Sequence, residues 1–461
     1  MGVSNKKRIW GWMAFDWASQ PFYTLGLTFV FGPYFASVAI DYYMAQGQSE
    51  QVADANAQSL WFTGSALAGI FIALSAPYLG ALADKGGRRI PWICLFSIIY
   101  VACTASLWRL TPDGSWLFPA LFIFFIGFIA AEYALNFVNA YLPDLGNDEE
   151  VGRISGSGAA FGYWGGVSAL AIVLLLLLEV PGTGKTLLGQ APIFGLDVAQ
   201  KEETRIVGPL IAAWYALFMI PFFLWVRDKP TPKTMEKTSA LTALIQTLKD
   251  TWHRKSLINF LIGSMCYRDA LNAIYTAGGI YAAVVMNWEL LQIVQFGIIA
   301  ALAAAVLTWI GGLADARFGP KPVILTCIYF LLLVTFTVVS LGPNHFLWMS
   351  FETQTIPDMI YYACGIIIGG AGGAIYAASR SMMVRHTDPD RPTEAFGLFS
   401  LSGKATAFIG PVLVVAATEI TGSAQLGYVP VIGLFLIGLF LLRWVNKDGD
   451  RQWSKEQSSQ V

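Results

Sequence analysis

Charge is what this 461-residue chain has least of. Asp, Glu, Lys and Arg together make up 13% of it, where soluble globular domains carry about 25%. So small a polar complement excludes a soluble single-core protein, because 56% of the residues are apolar. They recur in long runs with only short interruptions rather than in domains joined by polar linkers. Cysteine is also sparse. Cys94, Cys103, Cys266, Cys327 and Cys364 all fall inside apolar runs without paired ligand spacing, which argues against disulfides and a zinc site. The three histidines, His253, His345 and His386, sit in loops or at their margins, which argues against a buried histidine relay. With no nucleophile, histidine base or metal cluster placed for chemistry, an enzyme is not expected, and neither is a cofactor or a nucleic-acid partner. A ten-residue alternation that would mark a transmembrane β-barrel is missing too.

What is present is length and grease. A bilayer core of ~30 Å asks for ~20 helical residues per crossing. Twelve segments of that order lie near 12–40, 59–83, 90–108, 116–141, 154–178, 206–226, 257–286, 291–314, 321–342, 359–384, 395–418 and 426–444. The reading is an all-α membrane protein with twelve transmembrane helices. Lys6, Lys7 and Arg8 run straight into the first segment, which is too long for a cleavable signal and lacks a small-residue cleavage site.

Lys and Arg favour the cytoplasmic side of a membrane. With both termini inside, the outer loops carry only Arg109, Lys185, Lys201 and Arg205, and the helices carry Arg268, Arg380 and Lys404. The remaining twenty-two of the 29 basic residues face the cytoplasm. The longest basic connection implies three parts: a six-helix bundle over 1–227, a linker over 228–255 and a second bundle over 256–461. Ala240 to Lys249 in the linker has the pattern of an amphipathic surface helix, with a solvated linker as the alternative. Internal repetition supports the division. Gly80, Leu82, Ala83 and Asp84 return as Gly311, Leu313, Ala314 and Asp315, and duplicated halves are common among transporters.

Gly80-Ala81-Leu82-Ala83-Asp84-Lys85-Gly86-Gly87-Arg88-Arg89 resembles the signature between helices two and three of the major facilitator superfamily. The resemblance implies that fold, two six-helix bundles, and a latch. Gly80 permits close packing, while Asp84, balanced by Arg88 and Arg89, faces the start of helix eleven near Glu394. Asp315 belongs to a second copy one residue longer than the pattern.

A narrower resemblance rests on five stretches. They are Phe15-Asp16-Trp17-Ala18, Asn136 to Leu145, Ser155 to Gly166, Ser379-Arg380-Ser381, and Phe396 to Lys404. These are similar to the vacuole-effluxer-like permeases, the bacterial relatives of an autophagy-related vacuolar amino-acid exporter. Arg268 and Ala270, around Asp269, depart from the asparagine and glycine usual in relatives. The resemblance implies a secondary transporter in a bacterial inner membrane, with amino acids as the leading solute class. A non-transporting sensor or assembly partner of the same fold is the alternative.

A charged side chain at the bilayer midplane costs at least ~2.5 kcal/mol, so intramembrane charges mark function. Asp16, Glu132, Arg268, Asp269, Arg380 and Lys404 are the candidates. Glu132, Asn136 and Asn139 share one helical face, at i, i+4 and i+7. Glu132 is expected either to carry a coupled proton or to pair with Arg380 or Lys404, and the two asparagines to bind polar groups of a solute. Arg380 and Lys404 suit a solute carboxylate. Arg380, near its helix end, could instead snorkel and serve a gate. Asp16 serves gating or proton coupling, and Tyr23 and Tyr275 are candidate cavity residues. The partners expected are a small solute, a proton and membrane lipid, for a monomer without a bound metal. Gly182-Thr183-Gly184-Lys185-Thr186 imitates a phosphate loop, but Glu179 stands where its first glycine belongs, which rejects ATP hydrolysis.

Overall fold

The computed structural model describes residues 3–180, 182–228 and 240–450. Backbone groups facing lipid must be satisfied within their own segment, and the described residues are accordingly mostly helical. Twelve long helices follow in chain order. They are α1 Asn5–Ala45, α2 Glu50–Gly86, α3 Ile90–Arg109, α4 Leu117–Asp144, α5 Asp148–Leu177, α6 Glu202–Trp225, α7 Lys255–Val284, α8 Leu290–Phe318, α9 Pro320–Ser340, α10 Thr355–His386, α11 Pro392–Thr421 and α12 Leu426–Leu442. All but α7 and α12 are long and apolar enough by themselves to cross a membrane, ten helices among the described residues. α12 is a shorter apolar helix, and α7 runs for 30 residues around its two internal charges. The helices stand where the hydropathy places them. Several extend further than expected, α1 and α2 most of all, because polar helical turns continue past the apolar stretch.

Helices α1, α6 and α11 are interrupted within their spans, each at a point that precedes a proline. A proline ring displaces the carbonyl four residues back and removes one ladder bond. In α1, Pro33 lies beyond a π-wound stretch, Phe22–Phe29, that ends at Val30 with φ −126° and Val30 N–H on Leu25 O at 3.1 Å. In α6, Val207–Phe218 and Ile220–Trp225 are separated at Met219, ahead of Pro221. In α11, Pro392–Lys404 and Ile409–Thr421 are separated by four residues ahead of Pro411. Pro77, by contrast, is carried inside α2 without a break.

The chain forms two compact units: Met1–Ile72 with Arg88–Val138 and Phe161–Pro230, and Ala73–Gly87 with Asn139–Ala160 and Thr231–Val461. The first has an aromatic centre in which Phe124 stacks on Phe22 at 5.1 Å and Phe31 at 5.3 Å and meets Trp61 at 5.0 Å. The second is built on close backbone approach. Gly156 meets Gly312, and Gly369 lies on the Ala300 carbonyl. Small residues allow such contact where apolar burial does not drive helices together. Large apolar side chains such as Leu74, Ile98, Phe122 and Leu333 point outward, as a lipid-facing surface requires.

A short three-stranded sheet follows α9: β1 Leu341–Gly342, β2 His345–Phe346 and β3 Met349–Ser350, antiparallel in that order. The segment before α7 forms a helix, Ala240–His253. Lys229, Lys233 and Lys237 of the linker, with Pro230 and Pro232, lie outside the described residues, as do Arg451 and Lys455. After α12 the chain straps across the ends of α7, α9 and α10. Lys321 Nζ donates to Val445 O (2.7 Å), Asn446 N–H to Ser256 Oγ (2.8 Å) and Arg385 Nη1 to Lys447 O (2.9 Å), and Asp450 pairs with Arg254 at 2.6 Å. Under the strap lies a correction. His386, read from sequence as marginal, is 1% exposed, stacks on Phe260 at 5.5 Å, and bonds Ser256 Oγ at 2.8 Å and Met382 O at 3.0 Å.

Candidate functional site

In the first unit, the π-wound turn of α1 presents Tyr23, whose hydroxyl donates to Glu132 Oε1 at 3.0 Å. Glu132 on α4 is 4% exposed. One turn further, Asn136 is buried with its Nδ2 unpartnered among the described residues. An amide donor left unsatisfied in such a place costs about 1–3 kcal/mol unless a ligand or water meets it. Asp16 is half-buried where Gly162 of α5 packs on its backbone. Its neighbour Trp17 is held in an aromatic cluster, stacked on Trp214 at 5.8 Å and 4.6 Å from Phe161.

Asn139 does not join that pair. It lies in the second unit and accepts from Arg380 Nη1 at 3.3 Å. Arg380 is fully buried, so it does not snorkel. Its Nη2 donates to Ser155 O at 2.7 Å and its Nε to Ser155 Oγ at 3.2 Å, while Ser155 Oγ donates to Ala377 O at 2.8 Å. A planar guanidinium satisfies several acceptors in one fixed geometry, which lysine cannot copy. Arg380 therefore fastens α10 to the end of α4 and the start of α5. Ser155 is a member of this cluster that the sequence reading quoted only within a motif.

Asp84, read from sequence as the centre of a latch, stands at the start of α11. Asp84 accepts the N–H groups of Thr393 (3.2 Å) and Glu394 (2.8 Å) at the start of α11, where the helix leaves donors free and favours an anion. Gly80 lies so close that a β-carbon on it would stand 2.5 Å from Thr393 O. Arg88 is exposed, and Arg89 and Ile90 give their N–H groups to Asp228 at 3.0 and 3.3 Å. Asp315 is not a second copy of that cap. It is 1% exposed against Gly152 of α5, with Ser381 and Arg385 facing it, and neither carboxylate oxygen has a hydrogen-bond partner among the described residues.

Around the break in α11 the remaining candidates meet. Arg268 Nη1 donates to Phe399 O at 3.2 Å, and its guanidinium lies 4.6 Å over the Phe399 ring and against Gly403. Asp269, 2% exposed, turns toward Thr406 and packs its backbone carbonyl on Gly410. Lys404, read from sequence as well inside its helix, is instead the last residue before the interruption. Tyr275 is 47% exposed on α7, with its hydroxyl in the space left by Gly372 of α10. Among the described residues no three of His, Cys, Asp and Glu are grouped to hold a metal. The phosphate-loop imitation is a turn, with Gly182 and Gly184 at φ +76° and +65° and Gly184 N–H on Glu179 Oε1 at 2.6 Å.

The fold and sequence have clear relatives. Among solved structures, the human organic anion transporter MFSD10 (TETRAN) aligns with a TM-score of 0.68 at 15% identity, covering 95% of this chain and 99% of that one. The Escherichia coli fucose:proton symporter FucP aligns with a TM-score of 0.66 at 12% identity, covering 95% and 98%. In sequence, the uncharacterized MFS-type transporter YxiO of Bacillus subtilis is 25% identical over 452 residues, 97% of this chain and 96% of that protein. Autophagy-related protein 22-2 of Emericella nidulans is 22% identical over 321 residues, which span 65% of this chain and 52% of the fungal protein. A family model described as "Vacuole effluxer Atg22 like" matches residues 4–454. An all-α membrane fold, those structural relatives and a match over almost the full length make one conclusion: the chain belongs to the Atg22-like vacuole effluxer family, within the major facilitator transporters.

Proposed function

We propose that this transporter moves a small polar solute, with amino acids as the leading class, by alternating access coupled to a proton gradient. The observation that carries the reading is the buried group on α4. Glu132 holds a hydroxyl bond from Tyr23 beside an Asn136 amide that no described residue satisfies. A carboxyl that can take up a proton, next to an open amide donor, is what a proton-linked polar solute requires. The fucose:proton symporter among the structural relatives and the vacuole effluxer family name lend support from outside the chain.

In this reading the basic ends of the helices are cytoplasmic, in a bacterial inner membrane, and the chain works as a monomer. Residues 1–227 and 256–461 are the two bundles and 228–255 the linker. The Arg380 clamp and the Asp84 latch close the cytoplasmic gate, and Lys404 receives a solute carboxylate as a point charge.

Uptake of a labelled amino-acid panel into proteoliposomes, with and without an imposed pH gradient, tests this. Gradient-stimulated uptake of at least one member is the expected result. Uptake that the gradient leaves unchanged refutes the coupling. Silence across the panel, and across other polar solutes, favours a sensor of the same fold.

A further inference from the structure

The break in α11 creates two half-helix ends in the middle of a membrane span. Ala405 N–H is the last donor of the first half, on Leu401 O at 3.0 Å, and the ladder resumes only with Ile409 N–H on Thr406 O at 2.7 Å. The first half ends in carbonyls, the second begins with free N–H groups, and each end carries roughly half a charge of opposite sign. Two adjacent residues of α7 answer these ends. Arg268 lies on the carbonyl side, against Phe399 O and Gly403. Asp269 lies on the N–H side, facing Thr406 and packed on Gly410. This arrangement accounts for an arginine and an aspartate side by side within a span.

One defect remains in it. Asp269 is 98% buried and faces Thr406, yet among the described residues no well-formed hydrogen bond satisfies its Oδ1 or the Oγ of Thr406. An ionised carboxylate would take the Thr406 hydroxyl hydrogen and leave the Ser402 carbonyl open, whereas one proton on Oδ1 satisfies all three groups. A protonated Oδ1 donates to Thr406 Oγ, and the hydroxyl hydrogen of Thr406 turns to the Ser402 carbonyl, four residues back and relieved of its ladder bond by the break. We infer that Asp269 carries the coupled proton, with Thr406 at the break of α11 as the acceptor that registers it. The inference rests on the proton-coupled reading proposed above and moves the titrating role from Glu132 to α7. The charged and titratable groups around Asp269 are Arg268 and Cys266 of its own helix and, from α11, the hydroxyl of Thr406. When Asp269 loses the proton, its carboxylate is better served by the free N–H groups at the start of the second half-helix. Winding of α11 is thereby linked to protonation.

The test is infrared difference spectroscopy across pH on the full chain in lipid vesicles, with gradient-driven uptake measured in parallel. A protonated-carboxyl band is expected in the parent, absent in Asp269→Asn, shifted in Thr406→Val, and retained in Glu132→Gln. Should Asp269→Asn fail to fold, the shift in Thr406→Val decides alone. A band that survives Asp269→Asn, or that Thr406→Val leaves in place, overturns the assignment. So does a band abolished by sodium chloride at fixed pH, which would make this a sodium site. Gradient-driven uptake retained in Asp269→Asn also overturns it, and leaves proton coupling intact. A parent that shows the band but no gradient-driven uptake overturns the coupling reading instead.

Discussion

Replacing Gly80 by alanine should spring the latch between α2 and α11. The new β-carbon would stand 2.5 Å from Thr393 O, where ordinary contact begins at 3.4 Å, so the start of α11 must retreat by about 0.9 Å. Carried with it, the N–H groups of Thr393 and Glu394 would move from 3.2 and 2.8 Å to about 4.1 and 3.7 Å from the Asp84 oxygens, beyond hydrogen-bonding range. Bonds to a charged group contribute about 1.5–3 kcal/mol each, and water recovers part of the loss, leaving about 3 kcal/mol. At 1.4 kcal/mol per factor of ten, that is on the order of 100-fold in the ratio of latched to unlatched molecules. The assay is the alkylation rate of Ser400→Cys, a position 5% exposed, in a background without the five native cysteines. A rate proportional to the open fraction should rise by the same factor. Gly86, in the same motif, has nothing within 4 Å of a β-carbon, and Gly86→Ala should leave the rate unchanged. Equal effects from the two substitutions would refute the reasoning, because they differ only in what the added carbon meets.

Arg380→Lys should loosen the clamp, since an ammonium cannot span Ser155 and Asn139 together, and should lower the unfolding midpoint in detergent. An unchanged midpoint would mean that the three bonds contribute nothing. Lys404→Ala is expected to weaken half-saturation for carboxylate solutes by about tenfold or more, consistent with loss of one charge-assisted bond. Equal binding would make Lys404 structural. Tyr23→Phe removes a hydroxyl that donates to Glu132 Oε1 beside the open Asn136 amide, and should weaken half-saturation for the solute while leaving the pH profile of uptake in place. A shifted profile would return the coupled proton to Glu132.

Much of the molecule could be read from sequence because the bilayer leaves few options. Apolar length located all twelve helices, and the spacing from Gly80 to Arg89 brought Asp84 to α11. The interruptions were harder, although their signals are present. Pro33, Pro221 and Pro411 each follow a break by one to three residues, while Pro77 sits in α2 without one. A proline therefore marks where a ladder bond is lost, and tertiary packing decides whether the helix parts there. Side-chain direction was harder still. Glu132, Asn136 and Asn139 share a helical face, yet Arg380 claims Asn139, and periodicity along one helix cannot reveal a partner 241 residues away. Thr406 drew no notice because a hydroxyl in an apolar run resembles any packing residue until its backbone is seen to part.

The strap that closes over α7, α9 and α10 has a bearing on biogenesis. Arg254, Ser256, Lys321 and Arg385 all emerge from the ribosome before the segment that pairs with them, Val445 to Asp450, has been made. For that interval the membrane holds the twelve helices with these groups lacking their strap partners. A nascent chain stalled anywhere ahead of Asp450 would leave the ends of α7, α9 and α10 open. The strap thus reports that the chain has been made as far as Asp450, which turns a set of terminal hydrogen bonds into a record of synthesis order.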